Sequence, residues 1–592
     1  MAKPDADFAA ATAAFQRGDL TAARTWGLRA VGADPSMGAA HHLLAIVADQ
    51  SGDLVEAVDR FTEAVALLPQ DPHLANNFGN FAAKMQQTEM AMEEYRRALE
   101  IAPDFVDALV NLGLTAGLAH YEEGLAALQR ATVLTPKSAK AWQALGAHLR
   151  DGGDLDAAAE ALATANALAP NDAVIVQARA VVEAARGGDA MPFLDRASAL
   201  RPGDPELALE RAAFLFRRDP AAAVDYLATL LRGAPTWQIG HLTLSQLRWQ
   251  VGDGAASTRS FDEALAALPD DIELRLAYLS TLQRSGRNAD AVALADRDRA
   301  RFAARPEAAE MARRFEAISA AESGDLDRAA PLFARTADTG DANFELSRMR
   351  FLLRSQQFEA AVRHGEQMVS VHDDRSLWAH LATAWRLIGD RRADWLDDPR
   401  LIAVIDIEGL DLAALATRLR ELHVTNTAPF DQSLRGGTQT DGHLLLRSDP
   451  TLQSLRRALE GAIADYIENL PAIDPVHPTL REQRSGFRIK GSWSVRLTSQ
   501  GFHINHFHGD GWISSAFYVA LPPTLGDATS SAGWLTLGQP SVELGLDLPP
   551  LHVIEPKPGR LALFPSTMWH GTVPFSDGER LTVAFDVVPN GR

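Results

Sequence analysis

The chain of 592 residues contains no cysteine, and this absence excludes several kinds of site at once. Disulfide bonds, zinc sites with thiolate ligands, iron–sulfur clusters and cysteine nucleophiles all require that side chain. Any metal that the protein binds must therefore be held by histidine, aspartate or glutamate.

Long apolar runs and positive charge are also scarce. No apolar stretch approaches the roughly 20 residues that a membrane-spanning helix needs. The first residues, MAKPDADFAAATAAFQRGDL, show helical periodicity instead of a basic segment before an apolar core, which predicts no signal peptide and a cytoplasmic location. The formal net charge of −20 disfavours a nucleic-acid partner and favours a basic peptide or a neutral small molecule.

Proline recurs at a nearly constant interval, 32 to 34 residues, through the first half of the chain. The regular prolines are Pro35, Pro69, Pro103, Pro136, Pro170, Pro202, Pro235 and Pro269. Each follows an alanine-rich amphipathic pattern, and a turn divides each interval in two. The sequence therefore predicts a repeated pair of helices.

Small and large residues return at matching positions of these intervals, such as Gly79 with Tyr95 and Gly146 with Leu162. This pattern resembles the tetratricopeptide repeat (TPR) over about residues 5–390. The resemblance implies about ten or eleven helical hairpins stacked into a superhelical solenoid. It also implies a protein or peptide in the concave groove, and the array could equally form a homodimer.

The pattern changes near residue 393, so we predict a repeat domain over 1–392 and a second domain over 393–592. The second domain begins with a helical lead-in, 393–484, with helices at 411–423 and about 450–469. Between these helices lies the polar segment 430–442, which we interpret as a loop and a candidate active-site lid.

Short alternating segments follow from residue 487 onward, separated by proline and glycine turns. They are FRIKGSWSVRL, WISSAFYVALP, GWLTL, LHVIEP, RLALFP and LTVAFDVV. Such segments predict an antiparallel barrel or jelly roll, also called a double-stranded β-helix. The predicted fold is thus multidomain, an all-α solenoid followed by an α+β domain.

Histidines concentrate in this second domain: eight of the 17 lie after residue 393, and three fall within six positions. Alternate side chains of an extended strand share a face, which groups His506, His508 and Asp510 and sets His503 apart. A facial metal site takes two ligands from one segment and a third from another, and leaves positions open. His570, which follows the strand RLALFP, is the natural third ligand.

The order of this ligand pair, the segment PGRLALFPSTMWH and then ERLT (579–582) resembles the 2-oxoglutarate/Fe(II)-dependent oxygenases, in particular a bacterial and phage branch often preceded by TPRs. The resemblance spans roughly 485–590, with a looser match over 393–484. It implies Fe(II) and 2-oxoglutarate as cofactors, O2 as co-substrate, and hydroxylation of a protein or peptide recruited by the repeats.

The resemblance also assigns cofactor contacts. Arg580 would hold the far carboxylate of 2-oxoglutarate, because a guanidinium can donate two parallel hydrogen bonds where lysine cannot. The Thr582 hydroxyl could add a hydrogen bond. Tyr518 and Ser514 share the phase of the metal ligands and would lie beside the cofactor.

Two ligand sets and three function classes remain open. The usual superfamily triad would select His508, Asp510 and His570, whereas the His-x-His pair of the branch would select His506, His508 and His570. A cupin-like, non-oxidative metalloenzyme could use the same histidines without Arg580. A non-enzymatic TPR scaffold with a degenerate barrel is the third reading.

Overall fold

The computed structural model describes residues 3–336, 340–372, 374–430, 432–526 and 531–590. The chain forms two compact units, Met1–Val182 and Glu183–Asn590. The first unit is helical, and the second contains further helices followed by antiparallel sheets. The predicted domain boundary at 392/393 stays a prediction.

The first unit is built from consecutive helices of 11 to 14 residues. These are α1 (Lys3–Gln16), α2 (Leu20–Ala33), α3 (Gly38–Ser51), α4 (Leu54–Leu67), α5 (Pro72–Lys84), α6 (Thr88–Ile101), α7 (Val106–Ala116), α8 (Tyr121–Leu134), α9 (Ala139–Asp151), α10 (Leu155–Leu168) and α11 (Ala173–Arg186), whose last residues belong to the second unit.

Local sequence explains where these helices begin and how closely they approach. Gly52 ends α3 with a φ of 79°, and the Asp53 side chain accepts a hydrogen bond from the Glu56 N–H to cap α4. A Cβ at Gly79 would lie 2.5 Å from the Tyr95 ring, so only glycine allows α5 and α6 to pack at this distance. The predicted long, all-helical array is thereby confirmed.

The second unit continues the helical pattern and then changes to strands. Its helices are α12 (Met191–Leu200), α13 (Pro205–Phe216), α14 (Pro220–Gly233), α15 (Gln238–Gln250), α16 (Arg259–Ala267), α17 (Ile272–Arg284), α18 (Asn288–Phe302), α19 (Pro306–Glu322), α20 (Leu326–Arg335), α21 (Ala342–Arg354), α22 (Phe358–Val371), α23 (Ser376–Ile388), α24 (Arg392–Leu396), α25 (Leu412–Leu422) and α26 (Pro450–Glu468). Among the helices of the described ranges, none has both the length and the apolar character needed to cross a membrane.

The strands form two antiparallel sheets. They are β1 (Ala403–Asp406), β2 (Leu434–Gln439), β3 (Phe487–His503), β4 (Ile513–Ala520), β5 (Leu535–Leu537), β6 (His552–Ile554), β7 (Arg560–Pro565), β8 (His570–Thr572) and β9 (Arg580–Pro589). The larger sheet has the order β1-β7-β4-β9-β3-β2, and the smaller has β6-β5-β8. The strands predicted from residue 487 onward are confirmed, and the sheets are consistent with an oxygenase domain, while the jelly-roll topology stays a prediction.

One face of the larger sheet carries the core of this region. Leu581, Val583 and Phe585 of β9 pack with Leu455 of α26 and Leu415 of α25, all almost fully buried. Because side chains alternate along a strand, the intervening β9 residues point to the opposite face. That second face carries the polar residues of the candidate site.

Part of the segment 430–442 is a strand and not the loop that its composition predicts, while its role as a lid stays a prediction. Residues 434–439 form β2, which pairs with β3 at the edge of the larger sheet. Gly437 lies against the backbone of Arg496, where a Cβ would clash. Glycine has a low propensity for strands, so the local sequence does not predict β2. The strand forms because Gly437 lets its backbone approach the neighbouring strand closely, and this contact lies far away in sequence.

Candidate metal centre

Three histidine rings meet where the two sheets approach each other. His570 begins β8, and its N–H donates to the His506 carbonyl at 2.8 Å, while the His506 N–H donates back to the His570 carbonyl at 2.9 Å. This two-residue bridge holds the rings of His506 and His570 with centroids 4.2 Å apart. His508 lies 5.2 Å from the His506 centroid and 5.0 Å from that of His570.

The three rings present nitrogen atoms to one point. One ring nitrogen from each of His506, His508 and His570 lies within 4.8 Å of the other two. Within the described ranges, these three residues form the one group of histidine or acidic side chains that lie close enough together to hold a metal ion. A divalent cation could therefore be held by three imidazoles.

Hydrogen bonds select the nitrogen that each ring offers. The Nδ1 of His506 donates to the Ile504 carbonyl at 2.8 Å, and that of His570 to the Met568 carbonyl at 3.1 Å. The Nδ1 of His508 donates to the Asp586 carboxylate at 2.6 Å. Since each Nδ1 carries the proton, each Nε2 keeps a lone pair for a metal.

The surroundings also set the charge of the rings. Burial lowers the pKa of His506 to about 3 and holds the pKa of His570 well below its usual value. Burial acts in the same direction on His508, but the Asp586 carboxylate outweighs it and raises the pKa of His508. His506 and His570 are thus neutral at physiological pH, the form that binds metals.

Asp510 lies apart from this group. β3 ends at His503, so the extended geometry expected over 506–510 is not formed, and Gly509 and Asp510 make a turn instead. The Asp510 side chain is 91% exposed and pairs with Lys490 at 3.3 Å. Ser376, the first residue of α23, lies against Gly509 where a Cβ would clash, which explains the glycine at this position.

Asp586 and Ser514 support His508 from the larger sheet. The two residues face each other on β9 and β4, and the Ser514 hydroxyl donates to Asp586 at 2.7 Å. Ser514 also lies 2.9 Å from the Ser566 hydroxyl. The structure therefore brings Ser514 to the back of the His508 ring.

Arg580 and Tyr518 form a second polar group on the same face of the sheet. Arg580 is 2% exposed, and its guanidinium carbon lies 5.0 Å from the centre of the Tyr518 ring. Its Nε and the Tyr518 hydroxyl are buried without a hydrogen-bond partner among the described residues. Burial lowers the pKa of Arg580, which the nearby Tyr518 opposes, and an arginine remains charged under such conditions.

Thr582 completes this group. It faces Tyr518 across the β4–β9 pair and is 4% exposed. Glu579, the residue before Arg580, pairs with Arg420 at 2.8 Å and with Arg496 at 2.5 Å. The buried donors of Arg580 and Tyr518 consequently fit a ligand carboxylate, the group that would satisfy both.

Asp586 is the site residue that the sequence reasoning missed. Counting in steps of two from Arg580 along β9 leads through Thr582 and Ala584 to Asp586. An acidic residue within the apolar segment LTVAFDVV was the available signal, since a carboxylate in a buried strand requires a partner.

His503 takes no part in the group of three rings. It ends β3, stacks on His506 with centroids 5.6 Å apart, and its Nδ1 lies 3.1 Å from the Ser433 hydroxyl. Burial holds its pKa well below the usual value.

Models of known protein families match one segment near each end of the chain. Residues 491–586 match the family model described as "Putative 2OG-Fe(II) oxygenase", and residues 41–169 match that of the cilia and flagella-associated protein 70 middle TPR-like domain. The chain thus carries a 2-oxoglutarate/Fe(II) oxygenase-like domain near its C-terminus and a TPR-like domain near its N-terminus. Both predicted resemblances are confirmed.

Individual relatives match parts of the chain. Protein FlbA of Caulobacter vibrioides is 30% identical over 147 residues, which are 25% of this chain and 25% of FlbA. The match therefore spans about a quarter of that relative. Among solved structures, PilF of Pseudomonas aeruginosa is 19% identical with a TM-score of 0.32, covering 35% of this chain and 96% of its own. A TPR protein from Parabacteroides merdae is 18% identical with a TM-score of 0.34, covering 41% and 98%.

Proposed function

We propose that the C-terminal region is a 2-oxoglutarate- and Fe(II)-dependent oxygenase that hydroxylates a polypeptide, with His506, His508 and His570 as the iron ligands. The observation that carries this proposal is the convergence of one ring nitrogen from each of the three histidines, while hydrogen bonds engage all three Nδ1 atoms and leave each Nε2 for a metal. Asp510, exposed and paired with Lys490, is left out of the ligand set.

The donor set fits the proposed metal and cofactor. Three imidazoles fill one face of an octahedral ion and leave three positions for 2-oxoglutarate and O2. When bound, Fe(II) and 2-oxoglutarate supply the oxidation of a C–H bond by O2, with succinate and CO2 as co-products. The protein supplies the geometry, the anchoring of the cofactor and the exclusion of water.

Arg580 and Tyr518 are the proposed anchor for the far carboxylate of 2-oxoglutarate. Both have buried donor atoms without a partner among the residues described, and leaving such atoms unpaired costs roughly 1–3 kcal/mol each. A carboxylate would recover that cost through charge-assisted hydrogen bonds. Thr582 lies beside them, while Ser514 is assigned to positioning His508 through Asp586.

The test is an anaerobic titration with Fe(II) and 2-oxoglutarate, followed by the metal-to-ligand charge-transfer absorption. We expect the band in the unaltered protein, its loss in His508→Ala and His570→Ala, and its retention in Asp510→Asn. Loss of the band in Asp510→Asn with retention in His506→Ala would replace the ligand set by His508, Asp510 and His570.

The three-histidine donor set favours one competing function, a non-oxidative metal hydrolase or isomerase. Three histidines also hold catalytic zinc, where an open position binds water. Such an enzyme has no use for the buried Arg580 and Tyr518 donors. Metal binding without any absorption change on addition of 2-oxoglutarate would favour this second function, and absence of metal binding would favour a scaffold.

A further inference from the structure

The second unit contains a cavity of about 640 Å³ with His506 on its wall. One side is formed by the ends of α17, α19 and α21, and the other by residues around 430–435, 504–507 and 541–543. The volume lies in the usual range for ligand sites, roughly 300–1,000 Å³. An occupant of this cavity would therefore reach the candidate metal centre.

Two side chains of this wall have polar atoms with unmet hydrogen-bonding capacity. The Nε2 of Gln283 and the Oδ1 of Asn288 are buried without a hydrogen-bond partner in the part of the chain that is described. One atom is a donor and the other an acceptor. A peptide unit offers the complementary pair, a carbonyl and an N–H.

The charged residues of the wall are Arg284, Glu322, Arg350, Arg354, Arg435 and Glu543, and four of them form a paired set. Arg350 and Arg354 both bind Glu322, at 2.7 and 3.0 Å, and Arg350 also lies 3.5 Å from Glu543. Two arginines are thus balanced by two glutamates.

Arg435 lacks such a carboxylate. Its side chain is exposed, and its guanidinium donates to the carbonyls of Gln432 and Leu434 at 2.7 and 2.9 Å. Carbonyls do not neutralise a charge, and none of the ion pairs in the described ranges includes Arg435. With four arginines and two glutamates on its wall, the cavity is locally positive, and Arg435 has no carboxylate partner among the described residues.

We propose that this cavity binds an extended polypeptide segment, with an acidic side chain paired to Arg435 and a backbone amide held by Gln283 and Asn288. Binding of the polypeptide does not depend on the proposed function. Only its subsequent reaction at the candidate metal centre rests on that proposal. The net charge of −20 favours a basic partner, but the local charge at the cavity has the opposite sign. Local charge decides recognition because exposed charges are screened beyond about 10 Å at ordinary ionic strength.

The first test measures peptide affinity by fluorescence anisotropy on the full chain, stripped of divalent metal. The probes are three pools of short random-sequence peptides that carry two glutamates, two glutamines or two lysines. We expect the glutamate pool to bind about fivefold more tightly than the glutamine pool, the scale of one exposed ion pair. This preference should disappear in Arg435→Gln and persist in Arg400→Gln, a control arginine that is 73% exposed and absent from the cavity wall.

Equal binding of the pools, or tighter binding of the lysine pool, would overturn the acidic preference. A preference that survives Arg435→Gln would overturn the role of that residue.

The second test addresses the backbone contacts with the double variant Gln283→Ala/Asn288→Ala. Because contacts with the peptide backbone do not depend on the peptide's side chains, the affinity of the double variant for all three pools should fall by a similar factor. Removing unsatisfied polar atoms should leave the melting temperature unchanged or higher, so a loss of affinity would not reflect unfolding. Unchanged affinity in a folded double variant would contradict the backbone contacts.

Failure of this inference and failure of the proposed function have different signatures. Peptide binding is measured without metal, so it does not depend on Fe(II) or 2-oxoglutarate. A charge-transfer band without peptide selectivity would reject the cavity and keep the oxygenase. Selective peptide binding without the band would keep the peptide site and reject the oxygenase.

Discussion

Asp586 links the chemistry of His508 to the larger sheet through a single carboxylate. It accepts the Nδ1 proton of His508 and the hydroxyl proton of Ser514, and its side chain is 15% exposed. A carboxylate in this position fixes the orientation of a metal-binding ring and makes its free nitrogen a stronger donor. The proposed role of Asp586 thus rests on its contacts with His508 and Ser514.

We expect Asp586→Ala to weaken Fe(II) binding by about 10- to 100-fold, because the His508 ring loses its orienting acceptor. The measurement is a competition titration against a fluorescent chelator under anaerobic conditions. Asp547→Ala, at an exposed acid outside the site, is the matched control and should bind as the unaltered protein does. An affinity in Asp586→Ala equal to that of the control would remove Asp586 from the site.

Asp397, which lies outside the candidate metal centre, should make the stability of the protein depend on pH. Burial, with a smaller effect of Asp394, raises the pKa of Asp397 to about 7, although Arg386 acts in the opposite direction. In the folded protein the carboxyl therefore keeps its proton at pH values where the unfolded chain has lost it. The free energy of unfolding should fall as pH rises from about 4 to 7, by at most about 4 kcal/mol from this group.

Asp397→Asn should abolish that part of the pH dependence. Urea unfolding at pH 5 and pH 8 is the measurement, and the variant should gain stability relative to the unaltered protein only at pH 8. A stability difference that is the same at both pH values would show that Asp397 does not carry this protonation.

At the scale of elements, the helices were predictable and strand β2 was not. A helix hairpin of the array is specified by neighbours in sequence, such as Gly52 at the turn and Asp53 at the cap. β2 depends on a partner more than 55 residues away, since Gly437 pairs with Leu497. The sequence of this segment predicts a loop, because its glycine, threonine and glutamine residues do not alternate with apolar residues as a half-buried strand would.

Gly437→Ala should destabilise the protein by about 1–3 kcal/mol, since a Cβ would meet the Arg496 backbone. The measurement is hydrogen exchange of the amides in β2, which should lose protection. Gly461→Ala is the control, because this exposed glycine within α26 has open space around it, and alanine there should raise stability by up to about 1 kcal/mol. Equal protection of β2 in both variants would contradict the close approach.

At the scale of the whole molecule, helices of the repeat pattern and the sheet region share a core within the second unit. Leu381 and Trp385 of α23 pack in one buried cluster with Leu544 and Trp569. The Trp569 Nε1 donates to the Thr383 hydroxyl at 3.0 Å. The arrangement of the segment around His570 therefore depends on residues that precede the predicted domain boundary.

We expect a fragment of residues 393–592 to lose cooperative unfolding, because it would expose the Trp569 side of this core to water. A fragment of residues 173–592, which begins with the whole of α11, should unfold cooperatively and bind Fe(II). Near-ultraviolet circular dichroism during urea titration is the measurement. Cooperative unfolding of the shorter fragment would support an autonomous domain at the predicted boundary.

The sequence by itself determined the helical repeats, the late strands and the candidate histidines, because each depends on periodicity or spacing over a few residues. It left the choice between His506 and Asp510 open, since alternation applies only while the backbone stays extended. The tertiary structure decided how these residues are placed: Ser376 lies against Gly509, the chain turns there, and Asp510 faces solvent while His506 meets His570. Contacts between residues far apart in sequence set that geometry, and no local pattern records them.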